Sequence, residues 1–89
     1  MEVQFLKSFL KDVKKIKEKS ILNKVKQVIF IMEGTNSIHE IPETEKLKGF
    51  SNAYRTKIGK YRLGFYFEND CIELARFVKR NDIYKLFPH

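Results

Sequence analysis

The stretch AYRTKIGKYRLGFYFENDCIELARFVKRNDIY, residues 53–84, decides the fold. It reads as three short strands followed by the start of a helix. In Tyr54–Ile58 the side chains alternate: Arg55 and Lys57 share one face, and Tyr54, Thr56 and Ile58 share the other. Gly59-Lys60 is a turn of hairpin length. In the next strand Tyr61, Leu63, Phe65 and Phe67 form a core face, while Arg62, Gly64 and Tyr66 point the other way. Glu68-Asn69-Asp70 is a second turn, leading into a strand over 71–78 that Lys79-Arg80 closes. Asn81 or Asp82 can cap a short final helix holding Ile83, Tyr84 and Leu86.

Upstream, the hydrophobic period changes twice. Val3 and Phe5 alternate with Glu2 and Gln4, as in a short strand. Phe5, Leu6, Phe9, Leu10, Val13 and Ile16 then recur at three- and four-residue spacing, as on one face of a helix. Ser20 is a candidate N-cap for a second helix with the stripe Ile21, Leu22, Val25, Val28, Ile29 and Met32, ending at Gly34. Two helices joined by so short a break form an antiparallel hairpin, and their stripes need a sheet face to cover. Residues 38–52 read as irregular. The expected architecture is α+β: a short strand and a helix hairpin packed on one face of a small, mostly antiparallel sheet, β-α-α-β-β-β, with a short C-terminal helix.

The 89 residues read as one domain, 1–89, with a modest core and little material for a deep enclosed pocket. The single cysteine, Cys71, fits a reducing compartment and behaves as a small hydrophobe. No apolar run reaches the ~20 residues that span a bilayer, and the N-terminus lacks the pattern of a secretory signal. A cytoplasmic protein with no membrane partner is expected. His39 stands alone in a loop and reads as a surface residue. No group of His, Cys or acidic residues has a metal-ligand spacing, so neither metal nor cofactor is expected.

The formal charge is +7. Residues 1–45 carry eight Lys against seven Asp and Glu, while residues 46–89 carry ten Lys and Arg against four acids. All four arginines, Arg55, Arg62, Arg76 and Arg80, lie in the second half. Charge gathered this way favours a polyanion, and arginine favours phosphate because its planar fork engages two oxygens. Lys46, Lys48, Arg55, Arg76 and Lys79 are therefore candidate RNA contacts. A plain solvated basic face is the competing reading. The lysines of the first helix read chiefly as a solvated face.

RNA supplies its own nucleophile, the ribose 2′-hydroxyl. Cleavage then needs orientation, stabilisation of charge on the phosphate, and a proton for the leaving 5′-oxygen. A fixed cluster of cations meets the second need, and an exposed tyrosine can stack on a base. Like charges on Arg55 and Arg62 disfavour a protonated amine between them, which makes Lys57 the first candidate base. Glu45 is the second.

The order of elements, together with KLKG (46–49), AYRTKIGKYRLGF (53–65) and ARFVKRNDIY (75–84), resembles the RelE/ParE superfamily of bacterial toxins. It is most similar to the RelE-type mRNA interferases of type II toxin–antitoxin systems. The likeness spans the chain and is strongest over 46–84. It implies a metal-free endoribonuclease that enters the ribosomal A site, cuts mRNA to a 2′,3′-cyclic phosphate and a 5′-hydroxyl, and forms a hetero-oligomer with a cognate antitoxin. By the same resemblance Lys57 matches a catalytic lysine, Arg62 the arginine that stabilises the transition state, Arg80 the arginine at the leaving group, and Tyr84 the tyrosine that stacks on a base. Two positions depart from the pattern. Arg55 stands where the family carries a second lysine, and Val78-Lys79 stands where many relatives have Gly-His, so a histidine acid is not available there. A ParE-like poison of DNA gyrase and a non-catalytic binding module with a basic face are the alternatives.

Overall fold

The structure, a computed structural model, describes residues 1–88. The chain runs β1 (Glu2–Phe5), α1 (Lys7–Lys14), α2 (Lys19–Gly34), β2 (Thr44–Lys46), β3 (Ala53–Ile58), β4 (Tyr61–Glu68), β5 (Cys71–Lys79) and α3 (Arg80–Leu86), with a single 3₁₀ turn at Ile38–Glu40 before β2. The sheet order is β1-β5-β4-β3-β2. β1 runs parallel to β5, and the other neighbours are antiparallel. The expected α+β layout holds, with one strand added. β2 lies inside the segment read as irregular and pairs Thr44, Glu45 and Lys46 with Thr56, Arg55 and Tyr54. Three residues with polar side chains carry no period of their own; the edge of β3 makes them a strand. No helix among the described residues is long and apolar enough to cross a membrane.

One sheet face is covered as the stripes require. Phe9 of α1 and Ile21, Val25 and Met32 of α2 pack on Ile58, Tyr61, Leu63, Phe65, Ile72, Leu74 and Phe77. Each large side chain so buried contributes about 1.5–3 kcal/mol of transfer free energy. Neither predicted cap forms. Glu18 precedes α2, with Ser20 already inside its first turn. Lys79 precedes α3, so Asn81 and Asp82 lie within the helix.

The alternation of β5 is interrupted. Phe65 pairs with Leu74 but Gly64 pairs with Arg76, leaving Ala75 as an extra residue. The bulge lets Leu74 and Phe77, three residues apart, both enter the helix-covered core. It also sits where β1 ends. Beyond that point α1 takes over the open edge of β5: Ser8 Oγ donates to Ala75 O at 2.6 Å, and Asp12 Oδ2 accepts from Phe77 N at 2.9 Å. Side chains thereby satisfy a strand edge that would otherwise be exposed.

The second face is not the open surface that the strand pattern implies. Ile83 and Phe87, four residues apart, dock with Leu47, Ala53 and Ala75 in a second small core. Phe87 lies over Gly64 and beside Tyr66, at 5.0 Å between ring centroids. A methyl group on Gly64 would stand 2.7 Å from the Phe87 ring. Phe87 is only 2% exposed and has nowhere to retreat. Gly64→Ala should therefore cost about 1–3 kcal/mol through overpacking, measured by thermal unfolding. It should also loosen α3, which carries Arg80 and Tyr84. Only the end of this face near Lys57 and Arg62 stays open.

Candidate functional site

The open end of the second face forms a cleft of about 860 Å³. Lys57, Arg62, Arg80 and Tyr84 all line it, with Arg55 and Glu45 on its wall. The four residues expected to act together on RNA are thus brought to one place from three elements: Lys57 from β3, Arg62 from β4, Arg80 and Tyr84 from α3. Cross-strand register sets Lys57 directly opposite Arg62. Like charges facing each other destabilise a sheet, and none of the ion pairs among the described residues involves Lys57, Arg62 or Arg80.

The turn between β3 and β4 anchors both arginines. Gly59 takes φ +59°, a conformation that favours glycine. Its carbonyl accepts from Arg62 Nη1 at 3.1 Å, and the Tyr61 carbonyl accepts from the same nitrogen at 2.9 Å. Arg62 is only 8% exposed, so its guanidinium is held in one orientation. The Lys60 carbonyl accepts from the Arg80 backbone N–H at 3.1 Å, which fixes the start of α3 against the same turn. Arg80 and Tyr84 are both exposed, Tyr84 by 64%. Its neighbour Ile83 is fully buried and pins the helix.

The remaining basic candidates separate. Arg76 does not line the cleft. Its Nε donates to Asp12 Oδ2 at 2.7 Å and its Nη2 to Asp12 Oδ1 at 3.2 Å, a two-pronged pair spent on holding α1 to β5. Arg55 remains on the cleft wall, but its Nη2 donates to Glu45 Oε2 at 2.8 Å and its Nη1 to Glu43 O at 3.3 Å. Its guanidinium is therefore partnered on the cleft wall. Lys79 is exposed and lines a smaller adjoining hollow with Lys60, Arg62 and Arg80. Lys46 and Lys48 are exposed on a groove beyond Tyr84.

β2 sets Glu45, the second candidate base, on the cleft wall, and two residues that the sequence pattern did not point to join it there. Glu45 faces Arg55 across the β2–β3 pair, and His39 and Thr44 reach the same cleft. From its sequence context His39 reads as an ordinary surface residue. The signal that could have found this group is the pairing of 44–46 with β3, which a three-residue polar stretch does not announce. Chemically, the cleft offers four cations (Arg62 and Arg55 held by hydrogen bonds, Lys57 and Arg80 exposed), the exposed ring of Tyr84, and the glutamates Glu43 and Glu45 around an open space. That combination suits a phosphodiester flanked by an unstacked base.

No family model matches the chain. A curated relative described as toxin RelE3 of Methanocaldococcus jannaschii is 35% identical over 89 residues, covering 99% of this chain and all of the relative. Among solved structures, the toxin in the RelB–RelE antitoxin–toxin complex from Methanococcus jannaschii superposes with a TM-score of 0.81 at 33% identity, covering 96% of this chain and 99% of that one. YafQ from E. coli shares the fold at a TM-score of 0.72 and 15% identity, covering 98% of both chains.

Proposed function

Because the chain belongs to the RelE toxin superfamily, we propose that it is the toxin of a type II toxin–antitoxin pair and arrests translation by cutting mRNA on the ribosome. The observation that carries this reading is the shared cleft of Lys57, Arg62, Arg80 and Tyr84. In the proposed reaction the 2′-oxygen of one nucleotide forms a bond to the adjacent phosphorus and the bond from phosphorus to the 5′-oxygen breaks. The products are a 2′,3′-cyclic phosphate and a 5′-hydroxyl. Arg62, held by two carbonyls, stabilises charge on the non-bridging phosphate oxygens. Arg80 sits at the leaving 5′-oxygen and stabilises its developing charge, and the oxygen takes its proton from solvent water as it departs. Lys57 accepts the proton of the 2′-hydroxyl. Glu45 is the second candidate for that proton, because its carboxylate stands on the cleft wall. Tyr84 stacks on a base and keeps the strand bent.

The shape of the site supports ribosome dependence. The cleft is open, with few surfaces to bend a free strand into line. A ribosome that presents single-stranded codons supplies that orientation. A cognate antitoxin is the second expected partner. It would quench the basic cleft or cover the helix hairpin, where Phe30 stands 77% exposed beside Ile31.

The test is incubation with translating ribosomes and a defined mRNA, with mapping of the new ends. Cleavage within the A-site codon, leaving 5′-hydroxyl ends, is expected. Intact transcripts would remove this function. Growth arrest accompanied by altered DNA supercoiling would instead point to gyrase.

A further inference from the structure

We propose that the groove beyond Tyr84 is a second nucleotide subsite, with Phe50 as its stacking platform. This rests on the RNA-cleaving reading of the neighbouring cleft and extends it by one nucleotide.

The groove has a volume of about 410 Å³, within the range of sites that take small ligands. It adjoins the cleft, and Glu45, Arg55 and Tyr84 line both. A strand whose one base rests on Tyr84 therefore has a path onward. Lys46, Lys48 and Phe50 line that path. Two lysines and an aromatic ring form the combination that single-stranded nucleic-acid grooves use: cations along the backbone and a π-face for the base.

Phe50 is not a stray apolar residue on a loose loop. It is 45% exposed, yet its attachment is fixed. Its N–H donates to Leu47 O at 3.4 Å, closing a tight turn that Gly49 permits by adopting φ +84°. Leu47 in turn is buried in the second core, and its N–H donates to Ala53 O at 2.9 Å. The ring is thus presented at the surface from a buried root. The second core that roots it also docks α3, so Phe50 and Tyr84 are held by one packed unit.

The test uses oligoribonucleotides with a 2′-deoxy substitution at the scissile position, which bind without being cut. A dinucleotide spanning the scissile linkage is compared with trinucleotides extended on the 5′ or the 3′ side. The chain has no tryptophan, so Phe50→Trp introduces a single one, whose emission can be excited selectively at wavelengths where the tyrosines do not absorb. One of the two extensions should quench its fluorescence and bind more tightly than the dinucleotide, by about 5- to 100-fold. Phe50→Ala should abolish that gain and leave dinucleotide affinity and Tm unchanged. Equal affinity of all three oligonucleotides, or a gain that survives in Phe50→Ala, would overturn the subsite while leaving the cleft reading intact. Failure of all three oligonucleotides to bind would overturn the subsite, and together with intact transcripts on translating ribosomes it would overturn the cleft reading as well.

Discussion

Arg62→Ala and Arg80→Ala should each lower the rate of mRNA cleavage by about 10²–10³-fold, the usual cost of removing one preorganised donor from a charge-stabilising site. The two substitutions should differ in what else they do. Arg62 is nearly buried and its Nη1 caps the carbonyls of Gly59 and Tyr61. Its loss forfeits two hydrogen bonds, so Arg62→Ala should also destabilise by about 1–3 kcal/mol. Arg80 is exposed, and only its backbone N–H ties it to the turn. Arg80→Ala should leave stability within about 0.5 kcal/mol. Cleavage at saturating ribosome concentration and thermal unfolding are measured on the same preparations. A folded Arg80→Ala variant that cuts within a few-fold of the original rate would exclude this cleft as the reacting site. Arg62→Lys should recover only part of the loss, since a single ammonium cannot both hold the carbonyls and present a flat fork to phosphate.

The origin of that pair's effect explains how much was legible in the sequence. Alternation in Tyr54–Ile58 and Tyr61–Phe67 assigned each side chain to a face, and Gly59-Lys60 marked the turn. Those signals are local, and the structure follows them: Lys57 does face Arg62. What stayed hidden depends on contacts distant in sequence. Ala75 breaks the period of β5, and only the partner register reveals it. Phe87 reads as part of a short tail, yet it closes over Gly64 and covers part of the face expected to be open. Glu45 reaches the cleft only because β2 pairs with β3. Arg76 looks like its neighbours Lys79 and Arg80 in a basic run. Its fate is set by an aspartate 64 residues earlier, which no local pattern records.

That aspartate carries the largest expected effect on stability. Asp12 is 6% exposed and accepts three hydrogen bonds, two from Arg76 and one from the Phe77 backbone N–H. Asp12→Ala strands a mostly buried guanidinium and an edge-strand donor together. Removing one partner of a buried pair costs about 3–5 kcal/mol. For a chain of this length that is a large share of total stability, and Tm should fall by more than about 10 °C. Arg76→Met should cost a comparable amount, because it leaves the carboxylate buried with only one N–H. The double variant Asp12→Leu with Arg76→Met should recover much of the loss, since a well-packed apolar pair can replace a buried ionic one; the Phe77 N–H, still without an acceptor, sets the remainder. The same variants separate structure from chemistry. Below its lowered Tm, Arg76→Met should cleave mRNA at close to the original rate, because its guanidinium is engaged on α1 and does not line the cleft. A rate loss in the folded Arg76→Met protein as deep as that of Arg80→Ala would return Arg76 to the RNA surface and require α1 to move aside when the substrate binds.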